Sequence, residues 1–326
     1  MPSDGPDVTL VHACLRDGMG GSPTAVVLET GHQVGDAGGT GDAGGTGSTG
    51  GPGDTGGMDD EARRLLPARH GASHAVYVRQ VPGSGPEPVF RVRYFTEAGE
   101  LPGCGHGTVA ALVLLASRAA PGRPYRATLR TAHGTLTGRA RAEGDRGTGL
   151  FDPGPVTLRP PTAAERALIP AALGLGPGES GPDARVAGVG RERILVPVAS
   201  RAALAALTPD LDRLRELCDR FGLLGAYVHS PPEPSGALAA RLFAPSIGVP
   251  EDIANANGTA CLAAHLAGRG LGDIAVDMGD ALGRPARITA TVLDGPGPGP
   301  RIVVGGTALV IGGVRARVLT PPGRGR

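Results

Sequence analysis

Short β-branched runs, broken by glycine and proline, set the pattern of the chain. They predict strands at residues 8–14, 24–28, 75–79, 89–95, 125–131, 135–142, 194–198, 226–229, 237–243, 286–292, 301–303 and 308–318. Helical spacing predicts helices at 59–69, 105–118, 163–173, 210–221 and 258–269. Strands outnumber helices, and the two do not alternate regularly. The expected class is therefore α+β with largely antiparallel sheet, not a doubly wound fold.

The helices at 105–118 and 258–269 are built of small and apolar residues around most of their circumference. A helix that is apolar all round is buried. Each follows a short polar turn, Gly103-Cys104-Gly105-His106 in one case and Asn257-Gly258-Thr259 in the other. One such helix per half predicts a pseudo-duplicated protein, each half wrapping sheet around a central helix. The Ala-Ala-Pro-Gly-Arg-Pro stretch at 119–124 reads as the linker between an N-terminal half, 1–124, and a C-terminal half, 125–326. Helix N-termini present free N–H groups and a positive dipole end. Two of them facing across a cleft would bind an anion such as a carboxylate.

Glycine alters one region of this map. Thirteen of the 56 glycines lie in 31–57, where Gly-Asp-Ala-Gly-Gly-Thr occurs twice in succession. So few apolar residues cannot offset the entropy of ordering, so a flexible surface insertion is expected. Gly39 to Gly44 fits a dinucleotide-binding GxGxxG, but more glycine follows where a packed helix would have to begin.

Charge and composition then remove whole classes of function. All 32 basic residues are arginine, against 31 acidic residues, giving a net charge of +1. Without lysine there is no Schiff-base chemistry and no P-loop lysine. Near-neutral charge argues against nucleic-acid or anionic-membrane partners. No apolar stretch approaches the roughly 18 residues of a membrane span. The first residues carry Asp4 and Asp7 but no basic region, so no signal peptide is read. Cys14, Cys104, Cys218 and Cys261 form no CxxC pair, so neither a metal ribbon nor a disulfide framework is expected. A cytoplasmic protein needing no metal and no cofactor is the expectation.

Four ordered motifs carry a resemblance to a known family. Arg93-Tyr94-Phe95-Thr96 with Glu100-Leu101-Pro102-Gly103-Cys104-Gly105-His106-Gly107-Thr108 resembles R-Y-F-T…E-L-P-x-C-G-H-A-T of the PhzF-like phenazine-biosynthesis isomerases. Gly248-Val249-Pro250-Glu251-Asp252, followed by Gly258-Thr259-Ala260, resembles G-x-x-E-D-P-x-T-G-S-A. Gly20-Gly21-Ser22-Pro23 and Gly283-Arg284-Pro285 resemble its G-G-N-P and G-R-P. The resemblance implies the diaminopimelate epimerase-like fold, with two pseudo-symmetric β-barrel-like halves each around a central helix. It implies homodimers, while the paired helix ends point to a small-molecule carboxylate substrate. It also implies catalytic roles for His106 and Asp252, and substrate contacts from Cys104, Gly105, Asn257, Gly258 and Thr259, the last at the family's serine position.

Two departures shape the expected chemistry. The family's base is a glutamate before a strand, and here His74 stands in its place. Imidazole still serves as a general base, and its cation would stabilise a neighbouring carbanion. In the second motif, the chain between Asp252 and Gly258 reads as two residues longer than the family pattern. Asn257 then stands where diaminopimelate epimerase has a cysteine opposite the one matching Cys104. An amide exchanges no proton at neutral pH, which disfavours two-base racemisation. The expected function is therefore a cofactor-independent isomerase, with catalytic His74, His106 and Asp252. It would shift a proton and double bond in a small unsaturated carboxylic or cyclic amino acid, in specialised-metabolite biosynthesis. The alternatives are an amino-acid racemase or epimerase, and a non-catalytic binding protein of the same fold.

Overall fold

In a computed structural model of the chain, residues 7–29, 58–119, 122–293 and 300–312 are described. The glycine-rich stretch at 31–57, the first six residues and the end of the strand expected to reach 318 lie outside them. The chain begins β1 (Val8–Leu15), β2 (Ser22–Glu29), α1 (Asp60–Arg69), β3 (His74–Val81), β4 (Val89–Thr96), β5 (Gly99–Leu101), α2 (Gly105–Ala119), β6 (Tyr125–Thr131), β7 (Gly134–Glu143) and β8 (Arg146–Phe151). After β9 (Thr157–Arg159) and α3 (Ala163–Ala172) come β10 (Arg185–Val189), β11 (Arg191–Pro197), α4 (Arg201–Ala205), α5 (Leu211–Phe221), β12 (Ala226–His229), β13 (Ala237–Ala244) and β14 (Val249–Asp252). The chain closes with α6 (Ala256–Ala267), β15 (Ile274–Met278), β16 (Ala286–Leu293) and β17 (Arg301–Ile311).

The pairing repeats. β1 and β2 are antiparallel, β2 and β3 parallel, β3 and β4 antiparallel, and β4 and β6 parallel. In the same order, β10 and β11 are antiparallel, β11 and β12 parallel, β12 and β13 antiparallel, and β13 and β15 parallel. Each parallel step is bridged by a helix, and each second parallel step encloses a buried one, α2 or α6. Strands β1, β2, β3, β4, β6, β7, β8 and β17 hydrogen-bond successively into a closed ring around α2. β9 to β13, β15 and β16 run on to β17 and wrap α6. This is the α+β, diaminopimelate epimerase-like architecture.

β17 joins the halves. It pairs with β16 at one end, with β8 in the middle and with β1 toward the other end. The sequence splits this segment in two at Gly305-Gly306, but it is one strand. A Cβ on Gly305 would lie 2.0 Å from the Gly149 carbonyl oxygen, so these glycines permit a close crossing rather than a turn. Sheet membership also departs from the division expected at residue 124. β6 to β8 belong to the ring around α2, which extends to Phe151.

α2 is buried from His106 to Ser117, and α6 from Gly258 to Leu266. Both sit in one continuous apolar cluster that includes Leu112, Leu115 and Leu262. α3 and α5 cover the outer face of the second half, and α1 that of the first. A half-buried Arg241–Glu251 pair, bonded at 2.8 and 2.9 Å, fastens β14 to β13 just before α6. No helix among the described residues is long and apolar enough to cross a membrane.

Candidate active site

α2 and α6 meet N-terminus to N-terminus. A Cβ on Gly105 would come within 2.5 Å of the Ala256 methyl, so glycine is needed there for the helices to approach. Their first turns are built alike. The Cys104 sulfur accepts the Gly107 N–H at 3.4 Å, and Asn255 Oδ1 accepts the Gly258 N–H at 2.7 Å. One turn on, the hydroxyls of Thr108 and Thr259 donate to the Cys104 and Asn255 carbonyls at 2.8 and 3.1 Å. Each also meets a buried tyrosine, Tyr94 at 2.7 Å and Tyr227 at 3.0 Å. The equivalent pairs are therefore Cys104 with Asn255, Gly105 with Ala256, His106 with Asn257, Gly107 with Gly258, and Thr108 with Thr259.

This register revises the reading of the second motif. α6 begins at Ala256, two residues before its expected start, capped by Asn255. No extra residues are then needed after Asp252: Asn255, Ala256 and Asn257 stand opposite the family's T-G-S. Asn257 takes the serine position and lines the cavity. Thr259 does not: it is fully buried, and its hydroxyl is spent on Asn255 and Tyr227. Gly258 is also inside, its N–H held by the cap. Asn255, rather than Asn257, is the counterpart of Cys104.

His74, Cys104, Gly105, His106, Asp252 and Asn257 do converge, on a cavity of about 100 Å³ between the helix ends. His74 opens β3 and is 7 % exposed; His106, in the first turn of α2, is 2 % exposed. Their rings stand edge to face, with His106 Nε2 3.0 Å from His74 Nδ1. His106 Nδ1 lies 2.9 Å from the Ala254 carbonyl, which can only accept. Its hydrogen is therefore on Nδ1, and Nε2 is the atom shared with His74 and, at 3.3 Å, with Cys104 Sγ. His74 Nδ1 also reaches Ser73 Oγ at 3.0 Å. Ser73 is fixed in turn by Ser22 Oγ and the Pro23 carbonyl. That leaves His74 Nε2 without a partner among the described residues.

Protonation of the pair is coupled. Burial, and then the charge of His106, push His74 well below the usual imidazole range. Burial also opposes charge on His106, but Cys104, Asp252 and the Ala254 carbonyl outweigh it and raise that residue to about 9. Of the two rings, His106 therefore holds a proton the more readily.

Asp252, expected to be catalytic, lines the cavity with its carboxylate bonded within its own turn. Its carboxylate accepts the Asn255 amide at 2.9 Å and the Ala254 N–H at 3.3 Å. It thereby holds both the α6 cap and the carbonyl that orients His106. His74, Cys104 and His106 also present the donor types a soft divalent metal takes, within 4.8 Å of one another. Here they bond to each other. The remaining motifs are structural. Gly21 N–H donates to the Pro285 carbonyl at 2.8 Å, joining G-G-S-P to G-R-P. Arg93 is bound by Glu100 and Asp60. Sequence reasoning missed Ser73, and it missed Arg193 on β11, which lies in the cavity wall and is 2 % exposed. Arg193 carries little signal of its own, because it ends the charged run Arg191-Glu192-Arg193 that opens β11.

The fold and paired helix ends place the protein among the epimerase-like isomerase folds. A sequence profile of the family described as phenazine biosynthesis-like protein (PhzC-PhzF) matches residues 48–312, and the chain belongs to that family. It is 28 % identical to the uncharacterized isomerase YddE of Escherichia coli, over 68 % of this chain and 77 % of that one. It is 33 % identical to an uncharacterized isomerase of Deinococcus radiodurans, over 62 % and 68 %. A predicted epimerase from Pseudomonas aeruginosa superposes with a TM-score of 0.74 at 23 % identity, covering 97 % of this chain and 100 % of that one. A PhzF-family protein from Bacillus anthracis gives 0.70 at 17 %, covering 94 % and 97 %.

Proposed function

We propose that the protein is a cofactor-independent isomerase that moves one proton, and with it a double bond, within a small unsaturated carboxylic or cyclic amino acid. The contact between His74 and His106 carries this reading. With the Ala254 carbonyl holding hydrogen on His106 Nδ1, the neutral pair has one arrangement. His74 Nδ1–H donates to His106 Nε2, and His74 Nε2 offers a lone pair to the cavity. His74 takes the substrate proton on Nε2 as the C–H bond breaks, and the electron pair enters the conjugated system. The proton on Nδ1 passes to His106. Reversal returns a proton from Nε2 to a different carbon, so atoms and charge balance over the cycle. The free first-turn amides of α2 and α6 favour a substrate carboxylate beside the developing charge.

A two-thiol racemase is less well supported, because Asn255 stands opposite Cys104 and cannot exchange a proton. The family's description supports a biosynthetic role, and its isomerase-named relatives an isomerisation. Small β,γ-unsaturated acids and cyclic amino acids incubated in D₂O and followed by proton NMR test the reading. Solvent deuterium should enter the product as the double bond moves. Inversion at a stereocentre with no change of double bond would instead favour the racemase.

A further inference from the structure

We infer that Arg193 is the counter-ion of the substrate's acid group and the residue that selects an acid over its neutral amide. This rests on the isomerase reading for the identity of the cavity, but not on the proton-transfer step. Arg193 is buried in the cavity wall on the C-terminal side, across from the half that supplies His74. Its Nε and Nη1 have no hydrogen-bond partner. Its Nη2 donates to the Arg191 carbonyl at 3.2 Å. No carboxylate among the described residues pairs with it. Other buried or half-buried arginines are served: Arg241 by Glu251, Arg159 by Glu165 and Glu192, and Arg287 by Asp277.

An always-ionised group held out of water without a counter-charge is costly, and folding alone gives no reason to keep it. A ligand anion supplies what is missing. Arg193 and the α6 N-terminus act on the same cavity, so a bound carboxylate gains an ion pair as well as the helix dipole. A neutral amide of the same shape would leave the guanidinium unpaired. The cavity should therefore reject it.

The test compares 2-furoate with 2-furamide, two planar probes of the same size, by titration calorimetry on the full chain. The wild type should bind 2-furoate at least about tenfold more tightly, the scale of one charge-assisted bond. Arg193→Met should abolish that preference, and Arg193→Lys should retain part of it. Because the guanidinium has no carboxylate partner among the described residues and keeps two unpaired buried nitrogens, Arg193→Met should not lower the melting temperature. His74→Ala should keep the preference, which separates failure of the proton relay from failure of this assignment. The assignment is overturned if the wild type shows no preference, if Arg193→Met keeps it, or if that variant melts about 5 °C or more lower.

Discussion

His106 Nε2 stands 3.0 Å from His74 Nδ1, and the carbonyl of Ala254 fixes which nitrogen of His106 is free to make that contact. A residue of the C-terminal half thus sets the tautomer of a residue in the N-terminal half, which in turn sets the tautomer of its neighbour. The base is a product of both halves, although His74 and His106 come from one.

The pH dependence follows from the opposite shifts of the two rings. The base form is the neutral pair, and His106 holds the extra proton up to about 9. In kcat/KM, which reports the free enzyme, activity should therefore rise from pH 7 and level off above about 9. In His106→Asn no imidazolium faces His74, whose pKa burial alone still depresses. The limb should then move below neutral pH, with a lower plateau because the proton has no resting place. A limb unmoved by the substitution would remove His106 from the relay.

Stability should carry the same signature with its own sign. The raised His106 contributes stability that is present below its unfolded value near 6.5 and lost as pH rises through about 9. The depressed His74 costs stability as pH falls below about 6.5, since the unfolded chain then binds the proton more readily. Melting curves of wild type and His106→Asn between pH 5 and 10 should converge above the upper limit. Parallel curves across that range would contradict the shift.

Cys104 caps α2 through its sulfur and need not react. Serine is a good N-cap, so Cys104→Ser should keep stability within about 1 kcal/mol and exchange activity within roughly tenfold. A racemase using the thiol as an acid–base group would lose activity by about two orders of magnitude or more. Steady-state rates of the two proteins decide this.

Asn257 and Thr259 should separate cleanly. Thr259→Val removes two buried hydroxyl bonds and should cost about 1–3 kcal/mol in chemical denaturation, with kcat unchanged. Asn257→Ala should leave stability within about 0.5 kcal/mol and raise KM. The reverse pattern would restore Thr259 as the substrate contact.

The buried helices were legible because small apolar residues on every side admit few other readings. The class of fold followed from them and from the β-branched runs. The strands not predicted are β5, β8, β9, β10, β14 and β15; most are short or glycine-bearing, but β15, Ile-Ala-Val-Asp-Met, is an apolar run that the reading passed over. β5 and β9 have three residues each, and β8, Arg-Gly-Thr-Gly-Leu-Phe, shows no alternation. Their identity comes from their partners. The start of α6 was misplaced for a related reason. Asn255 and Asn257 are both competent caps, and the residues between and after them are weak guides. The close packing of Ala256 on Gly105 selects Asn255. His74 is singled out only by the resemblance, at the family's glutamate position, and its contact with His106 joins residues 32 positions apart and leaves no local trace. Arg193 was hidden because its significance lies in its burial without a carboxylate partner among the described residues, which only the folded neighbourhood reveals.

The most direct test of the account is solvent exchange by the His74 variants. With a substrate that the wild type isomerises in D₂O, His74→Ala should lose label incorporation and double-bond migration together, by about 10²–10⁴-fold. His74→Glu should restore part of both, since a carboxylate there can take the proton. Undiminished exchange in His74→Ala, in a protein that melts like the wild type, would contradict the account.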